Sequence, residues 1–87
     1  MFNDIRKEFP ILKGKGLKRG LVYLDSSATT QKPQVVIDRL NRYYSSENAN
    51  IHRGPYDLSV NATKDWLDAH KIVAKLLNAD TYKKIIF

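Results

Sequence analysis

Ala62, Trp66, Ala69, His70, Val73, Leu76 and Leu77 recur at intervals of three and four. That spacing lays one apolar stripe along about five turns of helix. A helix of roughly 57–78 is therefore expected. Ser59 is the candidate N-cap, because its hydroxyl can accept from an unpaired first-turn N–H. Asp65 and Asp68 fall in the earlier half and Lys71 and Lys75 in the later half, as the helix dipole favours, and Asn78 suits the C-terminal end. A stripe of this length needs something to lie against. In a chain of 87 residues the rest of the sequence can supply only a modest core.

A second helix is expected over 33–46. Pro33 stands at a first-turn position that needs no N–H, and Val36, Ile37, Leu40, Tyr43 and Tyr44 follow at helical spacing. The two helices are expected to pack through Leu40, Tyr44, Trp66, Val73 and Leu77. A short helix over Asp4–Phe9 should stop before Pro10, which disfavours helical geometry in the residue preceding it. Leu21-Val22-Tyr23-Leu24 and Lys84-Ile85-Ile86-Phe87 read as two short strands, the second with no evident pairing partner other than the first. The chain thus divides into an arm and basic loop (1–20), a strand and turn motif (21–32), and two helices with a terminal strand (33–87). It is mainly α, with one or two short strands.

Charge and composition remove several functions. Residues 1–20 carry six Lys/Arg against Asp4 and Glu8, so +4 of the net +6 lies there. Lys13, Lys15, Lys18 and Arg19 alternate with glycines, and the segment is read as a solvated loop rather than a nucleic-acid contact. There is no cysteine, so neither a disulfide nor a thiol nucleophile resides in these residues. Two histidines, His52 and His70, are too few and too far apart to define a metal site. No apolar run approaches the ~20 residues of a membrane helix. The charged residues Asp4, Arg6, Lys7 and Glu8 stand where a signal peptide would be apolar, so a cytoplasmic location is expected.

Two stretches carry chemistry. Asp25-Ser26-Ser27-Ala28-Thr29-Thr30 places small polar residues directly after a strand-like run, where a ligand can approach the backbone. The plainer reading is a turn held by local side-chain hydrogen bonds. Asn50-Ile51-His52-Arg53-Gly54 presents an imidazole beside a planar guanidinium, a pair able to hold an anion and handle a proton. The same pair could equally satisfy loop carbonyls and a carboxylate such as Asp57. Gly14-Lys15-Gly16 lacks the strand-before, helix-after setting of a phosphate loop.

These stretches resemble a known family. Val22-Tyr23-Leu24-Asp25-Ser26-Ser27-Ala28-Thr29-Thr30-Gln31-Lys32-Pro33 is similar to the opening motif of the SufS-type cysteine desulfurases, within the class V aminotransferases. Asn48-Ala49-Asn50-Ile51-His52-Arg53-Gly54, with Leu58-Ser59 and Ala62-Thr63, resembles that family's second N-terminal signature. The resemblance implies the N-terminal fragment of an α/β enzyme of pyridoxal-phosphate (PLP) fold type I. Such enzymes are homodimers that take sulfur from cysteine and pass it to an acceptor protein for iron–sulfur cluster assembly. By the same analogy Ala28 and Thr29 line the substrate side of the pocket, and His52 and Arg53 lie near the active site and dimer contact.

Ser27 departs from the family's usual alanine, Pro55-Tyr56-Asp57 replaces a common Val-His-Thr, and the 13–20 loop is unusually basic. The residues that would bind PLP, the Schiff-base lysine and the persulfide-forming cysteine are expected downstream of residue 87. No catalytic, cofactor-binding or metal-binding residue is therefore assigned here, and the chain is expected to be inactive and to bind no PLP alone. A self-associating helical module and, behind it, a basic nucleic-acid binder are the competing readings.

Overall fold

The computed structural model of the chain describes residues 2–13 and 20–87, and the side chains of 4–13 and 20–87. Most of the basic loop expected at 13–20 therefore lies outside the described residues. The chain separates into two compact units, Met1–Arg42 and Tyr43–Phe87.

In the first unit, α1 (Phe2–Lys7) passes into a 3-10 turn at Pro10–Lys13. The helix ends ahead of Pro10, as the steric demand of proline on Phe9 requires. Glu8 and Phe9 still donate to the Ile5 and Arg6 carbonyls at 3.0 and 3.2 Å, tightening the last turn. α2 (Gln34–Arg42) starts one residue after Pro33, whose carbonyl accepts from Val36 and Ile37. The Gln34 N–H, spare at the helix start, donates to Glu8 O at 2.8 Å and ties α2 to the end of α1.

The second unit opens with a π-helical stretch, Tyr43–Glu47, that continues the chain out of α2. The expected helix over 33–46 is thus present but changes winding at Tyr43. α3 (Asp57–Leu76) is the long helix that the stripe foretold. Its C-terminus closes through a left-handed Asn78 (φ 54°). Asn78 N–H donates to Lys75 O at 3.2 Å, and Ala79 N–H to Ala74 O at 2.8 Å. This paired closure is a Schellman motif. A 3-10 turn, Tyr82–Lys84, follows and packs on α3, with Thr81 Oγ1 accepting from Lys83 N–H.

Four expectations are corrected. Among the described residues there is no strand. Leu21–Leu24 keeps the alternation of a strand, with Val22 and Leu24 exposed and Leu21 and Tyr23 half-buried. Among the described residues it has no neighbour to form a ladder, and a strand exists only through pairing. Lys84 belongs to the 3-10 turn, and Ile85 is extended but spends its N–H on Tyr82 O at 3.0 Å rather than in a ladder. Ser59 is not the N-cap. Tyr56, in extended backbone, precedes the first helical residue, and no side chain caps it. Finally, Leu40, Tyr44 and Leu77 are exposed rather than packed. The described residues that are buried are Ser59, Ala62, His70 and Ala74, all on one face of α3. Small side chains and one imidazole form this face, so the packing is narrow.

No helix among the described residues is long and apolar enough to cross a membrane.

Candidate functional site

The Asn50–Gly54 loop is strapped to the first two turns of α3. Ser59, 1% exposed, donates its hydroxyl to Asn50 O at 2.5 Å. One turn later, Thr63 Oγ1 donates to Ser59 O at 2.8 Å and accepts from the His52 backbone N–H at 2.9 Å. Residues 59 and 63 share a helix face by their i, i+4 spacing, so both hydroxyls reach the same loop. Gly54 lies so close that a Cβ there would fall 2.2 Å from Ser59 Oγ and 2.7 Å from the Tyr56 ring. Only glycine admits this approach.

The strap holds an uncommon conformation. His52 has φ 71°, and Arg53 N–H donates to Ile51 O at 3.0 Å across it. A bond spanning two residues about a positive φ is a γ-turn of the strained kind. Positive φ is costly for a residue with a Cβ, and such residues gather at functional sites. The His52 and Arg53 side chains are both exposed.

From His52 a row of rings runs along α3. His52 meets Trp66 edge-on with centroids 4.6 Å apart. Trp66 lies 3.9 Å from the buried His70, and His70 lies 4.4 Å from Phe87. His70 Nδ1 is 2.8 Å from Trp66 O, one turn back on the helix. Trp66, His70, Tyr82, Ile85, Ile86 and Phe87 border an open concavity of about 370 Å³. Elsewhere on α3, Lys64 and Asp68 pair at 2.8 Å on the exposed face. The hydrogen bond from Lys64 holds the Asp68 carboxyl below the usual carboxylate range, and the same bond raises the Lys64 ammonium.

The other predicted stretch folds as a turn in the first unit. The Asp25 backbone carbonyl accepts from Ala28 and Thr29 N–H at 3.1 and 3.2 Å. Tyr23 reaches over it, its hydroxyl against the Asp25 and Thr29 carbonyls, and Thr30 Oγ1 donates to Ser26 O at 3.3 Å. Arg6 donates to Leu21 O and fixes the approach to the turn. Ala28 and Thr29 are exposed. The adjoining concavity, about 290 Å³, is bordered by Phe9, Leu12, Tyr23, Ser26, Thr30 and Gln31 rather than by that pair. His52 and Arg53 are thus adjacent in one unit, and Ala28 and Thr29 in the other.

Sequence reasoning missed Ser59 and Thr63 as the holders of the His52 loop, and Trp66 and His70 as its continuation. A Ser and a Thr four apart, just after a glycine-ended loop, were the available signal. Among the described residues no three His, Cys, Asp or Glu side chains gather as a metal ion would require.

These features coincide with a known class of protein. The model of the class-V aminotransferase family matches residues 22–87, and the chain belongs to that family. Its relatives narrow the likeness to cysteine desulfurases. The chain is 45% identical over 98% of its length to a cysteine desulfurase of Synechococcus elongatus, and 48% identical over 95% to a probable cysteine desulfurase of Vibrio cholerae. It covers 14% and 20% of those two proteins. The apo structure of a cysteine desulfurase from Thermococcus onnurineus superposes on 97% of this chain with a TM-score of 0.80 at 32% identity, and the match spans 19% of that chain. These likenesses favour a desulfurase segment over the interaction module and the nucleic-acid binder.

The family is PLP-dependent. The described residues do not fit that cofactor by themselves. Every described lysine is exposed, whereas an imine-forming lysine must sit among walls that lower its affinity for a proton. The one buried imidazole, His70, already has Trp66 and Phe87 against it.

Proposed function

We infer that this chain supplies the N-terminal part of a PLP-dependent cysteine desulfurase of fold type I, a cytoplasmic homodimer that moves sulfur from cysteine to an acceptor protein for iron–sulfur cluster assembly. The observation that carries this reading is the structural match over 97% of the chain to a protein of that activity. Within the whole enzyme the segment's part is to build one side of the substrate pocket. Arg53, an exposed guanidinium on a rigid turn, suits the cysteine carboxylate through a bidentate, charge-assisted pair. His52 beside it offers a group that can take or return a proton. By the family resemblance Ala28 and Thr29, both small and exposed, also belong to the substrate-pocket residues. The imine-forming lysine and the sulfur-carrying cysteine come from the remaining length of the protein.

A segment exchange tests this. Residues 1–87 replace the matching part of the Vibrio cholerae protein, and alanine formed from cysteine is measured with PLP present. The exchanged enzyme is expected to be active, and Arg53→Ala to lower kcat/KM about tenfold, mainly through KM, as the loss of one charged hydrogen bond implies. The 87-residue chain alone is expected to form no alanine. Turnover by that chain alone, or an exchanged protein that binds PLP yet leaves cysteine intact, would sink the assignment.

A further inference from the structure

We propose that Thr63 is a positioning residue for the His52–Arg53 loop. Its hydroxyl stands between α3 and a strained turn, and it selects the one backbone conformation that aims both side chains. The functional part of this proposal rests on the pocket reading given above; the geometric part does not.

A histidine at φ 71° adopts that conformation only when its surroundings over-determine it. Glycine could have removed the strain, and Gly54 is two residues away, yet no described glycine has positive φ. The position therefore keeps its side chain at a conformational cost. Something must hold the turn, and the contacts name it. The Arg53 N–H is used within the turn, on Ile51 O. The His52 N–H points instead to Thr63 Oγ1 at 2.9 Å.

That oxygen has little freedom. It spends its own proton on Ser59 O at 2.8 Å, so its lone pairs face the loop. Ser59 in turn is buried and spends its hydroxyl on Asn50 O, pinning the residue two places before His52. Gly54 closes the other end against Ser59 and Tyr56. Loop ends are thus fixed by Ser59 and Gly54, and the His52 N–H at the centre by Thr63.

The consequence reaches the side chains. With its backbone held, His52 sets its ring at 84° to the Trp66 ring, 4.6 Å between centroids. Trp66 lies one turn beyond Thr63 on α3, so the acceptor and the ring contact come from the same helix face. Releasing the His52 N–H lets the turn relax toward negative φ, which swings the imidazole off Trp66 and redirects Arg53 with it. A purely structural Thr63 would change stability without changing where His52 points.

The test separates these roles in the full chain. In the unaltered protein the His52 amide is expected to exchange with solvent about tenfold or more slowly than an unstructured amide. Its ring protons are expected to be shifted by the Trp66 ring. Thr63→Val keeps shape and removes the acceptor; it should abolish both signatures while α3 stays helical by circular dichroism. Thr63→Ser restores the hydroxyl and should restore both. An unprotected His52 amide in the unaltered protein overturns the proposal without any variant. So does a valine variant that keeps the ring shift, or a serine variant that loses it. In the exchanged enzyme, Thr63→Val should lower kcat/KM as Arg53→Ala does, and Thr63→Ser should recover it. If the ring shift is lost while kcat/KM holds, the positioning stands and the pocket reading fails.

Discussion

Gly54 shows how much can depend on a missing methyl. An added Cβ would overlap Ser59 Cβ at 2.3 Å as well as its hydroxyl, so neither a rotamer change nor a shorter side chain at 59 makes room. Gly54→Ala is expected to cost about 2 kcal/mol, the range of an overpacked contact, read from urea unfolding of the full chain. An unshifted midpoint would mean the loop lifts away freely. At this scale the sequence was half legible. His52 and Arg53 stood out because an imidazole beside a guanidinium is a chemical signature. The residues that aim them did not, because a serine and a threonine four apart mark a shared helix face without saying which loop that face holds. Nor does a histidine declare a positive φ, which pattern reading assigns to glycine first.

The helices were the most legible elements, since their hydrogen bonds are local and their periodicity is written in the chain. α3 follows its stripe from Asp57 to Leu76. Its closing residue supports a sharp prediction. Asn78 takes the left-handed position of the Schellman motif at φ 54°, where glycine is freest and alanine pays a steric cost. Asn78→Ala is expected to lower the stability of the second unit by about 0.5–1 kcal/mol, and Asn78→Gly to leave it level or raise it slightly. Thermal denaturation followed by helical circular dichroism ranks the three, and alanine above asparagine would refute the cap. The strands were illegible for the opposite reason. Leu21–Leu24 and Ile85–Phe87 have the right residues, but pairing is a property of two segments, and a single run cannot reveal whether its partner is present. The π-helical stretch at Tyr43–Glu47 was equally hidden, since the apolar spacing across it suits an ordinary helix.

For the molecule as a whole, burial is the governing quantity. The buried side chains among the described residues are two alanines, a serine and a histidine. Leu24, Leu76 and Ile86 are each at least 81% exposed, so the large apolar groups contribute little to the chain's own stability. Unfolding in urea is therefore expected to be shallow, with a slope at or below about 1 kcal/mol/M, the lower end for small proteins. A steep, cooperative transition would show that the large apolar groups are covered in solution. The stripe was read correctly as a helix and wrongly as a packed seam, because periodicity reports which residues share a face but not what lies against it.

The ring contacts of α3 have an optical consequence. The chain has one tryptophan, and it lies against an imidazole on either side, His52 from the loop and His70 from the helix. An imidazole packed against an excited indole alters its emission. The protein therefore carries its own unlabelled lamp at the junction of loop and helix, and the brightness of that lamp tracks the nearness of both histidines.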